Sequence, residues 1–109
     1  MIEVRFYRSG QSLQGFSAQG HADFSDRGTD IVCSAFSALS QTAILALDQV
    51  AGVTPEWKRR DGFVQCRVPE GLVGDCSFAT QVIFKTFLTG LEHIACQYPG
   101  FFRVSYEEV

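Results

Sequence analysis

Hydrophobic and polar residues alternate at the start of the chain. Ile2, Val4 and Phe6 are separated by charged residues, and this period of two is typical of a half-buried β-strand. The segment from Leu13 to Gly20 follows a short polar turn and predicts a partner strand. Residues 21–29 have no apolar period, so we predict a loop there.

The period changes to three and four residues in two later segments, and each predicts a long helix with one apolar side. Asp30 or Thr29 can cap the start of the first helix, and Gly52 is suited to follow its end. The second helix is predicted from about Asp75 to Tyr98. The apolar stripe of the first helix comprises Val32, Phe36, Leu39, Ala43, Leu47 and Val50.

A hairpin is predicted between the two helices. Two short strand-like segments, Trp57–Arg60 and Phe63–Val68, flank the dipeptide Asp61-Gly62, which is a strong signal for a tight turn. A last strand is predicted after Pro99-Gly100, where apolar and polar residues alternate again. The order is therefore ββαββαβ, and we predict an α+β (α/β sandwich-like) fold with a mostly antiparallel sheet and two long helices.

Composition and charge limit the classes of function. The 109 residues are 46% hydrophobic and contain no linker, so we predict one domain over residues 1–109. The net charge of −3 argues against nucleic acid or an anionic membrane as the main partner. The basic cluster Lys58–Arg60 is interpreted as a solvated strand end. No uninterrupted apolar run approaches the roughly 18 residues of a membrane span, and we expect a cytoplasmic protein.

Four cysteines stand at positions 33, 66, 76 and 96. In a reducing compartment they are expected to be thiols. No C-x-x-C pair is present, and His21 and His93 are far apart in sequence, so we expect neither a metal site nor a cofactor. Cys66 at a core-facing strand position and Cys96 near a helix end are interpreted as structural residues.

Cys33 is the strongest candidate nucleophile. It lies in the first turn of the first predicted helix, where unpaired N–H groups and the helix dipole favour a thiolate. The N–H groups of Cys33 and Ser34 are expected to be free to bind an oxyanion. His21 lies where the preceding strand enters the loop that leads to this helix, so it can reach the thiol as a base.

The residues alone leave alternatives open. Cys33 and His21 could be ordinary structural residues, and Cys76 also lies at a predicted helix start. Asp30 could cap the helix or hold the His21 imidazole. Ser37, one turn after Cys33, could hydrogen-bond near the site or serve only in packing.

Two short segments resemble a known family. Gly20-His21-Ala22, followed by Gly28-x-Asp30-Ile31-Val32-Cys33-Ser34-Ala35-x-Ser37-Ala38, is similar to the signature of the ribosomal-processing cysteine proteases called Prp. The similarity in length and element order extends over the whole chain, but only this segment is specific. Phe36 stands where family patterns often have a small residue.

The resemblance implies a cysteine endopeptidase with a Cys-His dyad, in which His21 and Cys33 are the catalytic residues. Gly20, Asp30, Ser34 and Ser37 would be supporting residues. The implied substrate is the precursor of bacterial large-subunit ribosomal protein twenty-seven, whose N-terminal extension is removed for ribosome assembly. The resemblance also implies a homodimer.

Two other functions remain to be weighed against this one. The first is a non-catalytic ribosome-assembly factor that binds the same N-terminal arm, since no third member of a triad is obvious. The second is a thiol-redox or metal-binding module, against which the lack of a C-x-x-C pair counts.

Overall fold

The computed structural model describes all residues from 1 to 109 and has the predicted order of elements, ββαββαβ. The helices begin and end within a few residues of the predicted positions. The elements are β1 Ile2–Ser9, β2 Ser12–Gln19, α1 Ile31–Gln49, β3 Glu56–Arg60, β4 Phe63–Arg67, α2 Gly74–Gln97 and β5 Phe102–Glu108.

The five strands form one sheet in the order β3-β4-β2-β1-β5. The pairs β1–β2, β2–β4 and β3–β4 are antiparallel, whereas β1 and β5 are parallel. The prediction of an α+β fold with a mostly antiparallel sheet is therefore confirmed. The parallel pair needs a long connection, which here contains both helices.

The core lies between the sheet and the two helices. Aromatic rings from β1, β2 and α2 meet there: the ring centroids of Phe16 and Phe87 are 4.8 Å apart, and those of Phe6 and Phe16 are 5.9 Å apart. Full burial of one such side chain contributes about 1.5–3 kcal/mol. The inward positions of β1 are the ones that the alternation predicted, because Ile2, Val4 and Phe6 are all buried.

One side of α1 packs into this core. Val32, Phe36, Ala43 and Leu47 are buried as predicted, but Val50 is exposed because the helix ends at Gln49. By length and composition alone, α1 is apolar enough to cross a membrane, although no uninterrupted apolar run of the sequence suggests it. A helix that lies in a protein core meets the same criterion, and this one supplies six buried residues.

The sheet brings the β3–β4 turn to the end of β2. Gln19 pairs with Phe63, and the N–H of Gly20 donates to the carbonyl of Gly62 at 2.9 Å. His21 follows Gly20 directly, and the loop after it enters α1. The end of β2, the start of α1 and the β3–β4 turn therefore meet in one place.

Candidate active site

A cavity of about 490 Å³ opens where these three elements meet. His21 and Cys33, the two predicted catalytic residues, both line it, as do Gly20 and Ser37. Asp30 and Ser34 do not. One part of its wall is apolar and consists of Ile2, Ala18, Phe36, Phe63 and Val64; the polar part includes Ser40, Arg59, Arg60 and Asp61.

Cys33 lies in the first turn of α1 and is half-buried. Its Sγ accepts a hydrogen bond from the N–H of Ala22 at 3.3 Å. A donor aimed at the sulfur stabilises negative charge there. Because Ala22 directly follows His21, this contact also ties the position of His21 to that of Cys33. The two side chains are not hydrogen-bonded to each other, although they share the cavity.

His21 is held by its backbone as well as by its ring. Its carbonyl accepts a hydrogen bond from the Met1 ammonium at 2.6 Å. Its Nε2 lies 3.8 Å from Oδ2 of Asp61. The residue before it must be glycine: Gly20 has φ +99°, and a Cβ there would lie 2.3 Å from the carbonyl oxygen of Met1. Gly20 thus supports the site by letting the end of β2 approach the start of β1 closely.

Asp30 is the N-cap of α1, and its side chain is buried with 3% of its surface exposed. Its Oδ1 accepts from the N–H groups of Val32 and Cys33 at 2.9 and 3.0 Å. Its Oδ2 accepts from the N–H groups of Phe24 and Ser25 at 2.9 and 3.2 Å. Of the two roles that the sequence left open, the structure shows the cap, since neither oxygen bonds to His21.

Comparisons with known proteins identify the family of this chain. The family model for cysteine protease Prp matches residues 1–103, which is almost the whole chain. The chain belongs to the Prp cysteine protease family. It is 28% identical over 108 residues to the ribosomal processing cysteine protease Prp of Bacillus subtilis, and the match covers 96% of each chain.

Solved Prp structures have the same fold. The ribosomal processing protease Prp from S. aureus in complex with a covalently linked product peptide superimposes with a TM-score of 0.87, at 26% identity, over 98% of this chain and all of the other. The complex of S. aureus Prp with a substrate peptide gives a TM-score of 0.81 at 25% identity, over 98% and 100% of the two chains.

The pKa of Asp30 follows from its surroundings in this Prp-family site. Burial raises the pKa of the carboxyl group, but the hydrogen bonds from the N–H groups of Cys33, Ser25, Phe24 and Val32 outweigh burial and hold the pKa below its usual value. Asp30 is therefore a buried carboxylate that fastens the loop to the start of α1, the helix that carries Cys33.

One expectation about the Prp-family site is wrong. The N–H groups of Cys33 and Ser34 are not free to bind an oxyanion, because Cys33 donates to Oδ1 of Asp30 and Ser34 donates to the Asp30 carbonyl at 3.0 Å. Asp30, the N-cap that begins the helix, thus occupies the N–H groups of the first turn as their acceptor. The Ser34 side chain is exposed outside the cavity. The positive charges that line the cavity belong to Arg59 and Arg60.

Ser37 and the two arginines line the polar part of the cavity wall. With the Gln41 amide oriented so that both of its ends are satisfied, its oxygen accepts from the Ser37 hydroxyl at 2.7 Å and from the Arg59 guanidinium at 3.1 and 3.3 Å. The Arg60 guanidinium lies over the Phe63 ring, 4.1 Å from its centroid. Ser37 therefore has a polar role, because it anchors Arg59 through Gln41.

The other cysteines lie outside the cavity, and all four are free thiols. Cys66 is buried on β4 as predicted, and burial raises the pKa of its thiol to about 12. Cys76 donates to the carbonyl of Val73 at 3.3 Å, and Cys96 is exposed. No three His, Cys, Asp or Glu side chains are grouped so as to hold a metal ion.

Asp61 is the residue of the site that the sequence did not indicate as functional. In the sequence it is only part of a turn signal, and it lies 40 positions from His21. The Gly20–Gly62 hydrogen bond and the β2–β4 pairing bring it to the imidazole. Such a contact becomes visible only when the order of the strands in the sheet is known.

Proposed function

We propose that this chain is a cysteine endopeptidase with His21 and Cys33 as a catalytic dyad. We further propose that it removes the N-terminal extension of bacterial large-subunit ribosomal protein twenty-seven. The observation that carries the proposal is the shared cavity: the thiol at the start of α1 and the imidazole at the end of β2 both face one pocket with an apolar wall. The Prp relatives that act in ribosomal processing support it.

The dyad accounts for each step of peptide hydrolysis. His21 takes the proton of the Cys33 thiol, and the sulfur attacks the carbonyl carbon of the scissile bond. The imidazolium then protonates the leaving amine, so that a thioester to Cys33 and a new N-terminus are formed. Water, deprotonated by His21, hydrolyses the thioester and restores the thiol. The absence of a His21–Cys33 hydrogen bond without substrate is compatible with this, since such contacts often form only in the complex.

The shape of the cavity supports a substrate with apolar residues beside the cleavage point. Five apolar residues form one part of the wall, next to the sulfur. Phe24, in the loop before α1, does not line this cavity: its ring packs edge-on against Tyr98 and Phe101, with both centroid distances 5.3 Å. An aromatic side chain of the extension would instead occupy the space between Phe36 and Phe63.

We also propose that the protein acts in the cytoplasm as a homodimer, without binding nucleic acid directly. The net charge of −3 supports the last point. The exposed apolar side chains of Leu45, Phe78 and Val82 on the two helices support an interface between two copies. Light scattering of the purified protein measures the oligomeric state, and a monomer would refute this part of the proposal.

The test of the proposal is cleavage of the purified ribosomal-protein precursor, followed by mass spectrometry of the product. We expect Cys33→Ala and His21→Ala each to reduce the cleavage rate at least about 1000-fold, because the nucleophile and its base act as a unit. Cys76→Ala is the matched control, since it removes the thiol at the start of the other helix. It should cleave at the wild-type rate.

The same experiment tests a second function, that of a non-catalytic assembly factor. The occupied N–H groups of Cys33 and Ser34 favour this alternative, because neither is available to bind an oxyanion in the free state. Wild-type protein that binds the precursor without cutting it would support the assembly factor. Cutting that persists in Cys33→Ala would contradict the proposed dyad.

A further inference from the structure

Asp61 has no role in the mechanism so far, yet it is the acidic side chain nearest to the imidazole. We infer that Asp61 is a positioning residue that holds His21 through Nε2 and thereby leaves Nδ1 as the nitrogen that serves Cys33. This inference deepens the proposed function and rests on it. Asp61 lies in the turn between β3 and β4, outside the two segments that carry the family signature.

The geometry of the turn defines which edge of the ring faces it. Nε2 lies 3.8 Å from Oδ2 of Asp61, which is within the range of an ion pair but longer than a hydrogen bond. Nε2 would also lie 3.0 Å from a Cβ placed on Gly62. The Gly20–Gly62 hydrogen bond of 2.9 Å fixes the turn against the backbone beside His21. The Nε2 edge of the ring therefore faces the turn.

The remaining nitrogen is free for the reaction. Nδ1 of His21 has no hydrogen-bond partner within the chain, and the ring lines the same cavity as the Cys33 sulfur. A carboxylate beside one ring nitrogen favours the tautomer with the proton on that nitrogen, and it also stabilises the imidazolium that forms during the reaction. Asp61 can do both through the His21 ring, without taking part in the bonds that form and break.

Asp61 has a second partner, which any test must separate from the first. Nη1 of Arg27 lies 3.3 Å from the same Oδ2, so the carboxylate also connects the loop 22–29 to the turn. The side chain of Asp61 is 79% exposed, which limits its electrostatic effect. We therefore expect a three- to tenfold effect on rate.

Other charged groups surround His21 and belong in the interpretation of any pH profile. The Met1 ammonium bonds to the His21 carbonyl and lies 3.8 Å from Asp23. Arg59 and Arg60 line the cavity from β3.

The experiment combines nitrogen NMR with kinetics on the full chain. Asp61→Asn is the main variant, because Asn-Gly favours the same turn as Asp-Gly and the hairpin should fold. Nitrogen chemical shifts of the neutral imidazole report its tautomer, and His93 serves as the internal reference. We expect His21 of the wild type to carry its proton on Nε2, and Asp61→Asn to shift the population towards Nδ1–H.

Kinetics supply the second readout. Asp61→Asn should lower kcat three- to tenfold with KM unchanged, and Asp61→Glu should restore part of the loss. Arg27→Ala is the matched control, because it removes the other partner of the same oxygen and should leave the tautomer as in the wild type. Equal losses of kcat in Asp61→Asn and Arg27→Ala, with no change of tautomer, would show that Asp61 only anchors the loop.

The two proposals fail in different ways. If the wild type carries its proton on Nδ1, or if Asp61→Asn leaves the tautomer unchanged, the inference about Asp61 is wrong while the dyad stands. If the wild type does not cut the precursor, the proposed function fails whatever the NMR spectra show.

Discussion

The two helices of this protein begin with similar sequences and have different surroundings. Asp30 precedes Cys33-Ser34 at the start of α1, and Asp75 precedes Cys76-Ser77 at the start of α2. In α1 the aspartate is a buried N-cap that accepts hydrogen bonds from four backbone N–H groups. In α2 the N-cap is Val73, which provides no side-chain hydrogen bond, and Asp75 is exposed in the first turn.

The comparison shows what a helix start contributes to a reactive thiol and what it does not. Both cysteines lie at the N-terminus of a helix, and the helix dipole would stabilise a thiolate at either position. Only Cys33 has a donor aimed at its sulfur and a histidine in the same cavity. The Cys76 thiol instead donates to the carbonyl of Val73. The distinguishing features come from the β2 end and the β3–β4 turn, not from the helix.

The largest expected effect is at Asp30. Asp30→Asn replaces one acceptor oxygen by an NH₂ group, so at least one of the four N–H groups that the carboxylate binds loses its partner. We expect a loss of about 1–3 kcal/mol in the free energy of unfolding, because asparagine is itself a good N-cap and the cost is that of the unpaired donor. Urea denaturation measures the loss. Asp75→Asn, in the exposed first turn of α2, should change stability by less than about 0.5 kcal/mol.

The two helix starts should also differ in their response to acid. The folded-state pKa of Asp30 is lowered, so its contribution to stability is fully present above the unfolded pKa of about 3.9 and is lost as pH falls towards the folded value. Unfolding free energies measured between about pH 6 and pH 2 should fall more steeply for the wild type than for Asp30→Asn. Parallel curves for the two proteins would contradict the buried carboxylate.

The smallest effect is expected from giving α2 the cap that it lacks. Val73 has an extended backbone conformation suited to an N-cap, and 77% of it is exposed, so little packing is lost on replacement. Val73→Ser should raise the unfolding free energy by about 0.5–1 kcal/mol. Val50→Ser is the control, because it replaces an exposed valine by serine at the C-terminal end of α1, where no N-cap can form. A gain equal to that of the control would argue against a capping effect.

Much of the fold could be predicted because each element has a local signal. The alternation of Ile2, Val4 and Phe6 and the Asp61-Gly62 turn are properties of neighbouring residues, and the structure confirms both. The order of the strands is not local. Nothing in the residues of β2 indicates that it pairs with β4, because pairing depends on how two distant faces bury each other.

The same distinction applies to the site. His21 and Cys33 could be proposed together because one loop joins them. The contact of His21 with Asp61 depends on the β2–β4 pairing and could not be foreseen. The expectation about the oxyanion donors fails for another reason. The Asp30 side chain accepts from the Cys33 N–H and the Asp30 carbonyl accepts from the Ser34 N–H, so the helix start itself occupies both groups that the oxyanion hole would need.

The parallel pairing of β1 with β5 has a consequence for how the chain folds during translation. Ile2 pairs with Phe102, so the first strand finds one of its neighbours only after residues 102–108 have been synthesised. Closing a loop of that length costs entropy before any contact repays it, and such non-local pairing slows folding. Ile2 also lines the cavity. The nascent chain therefore emerges from the ribosome with one edge of β1 unpaired beside the cavity, and this edge is covered only when the last strand docks.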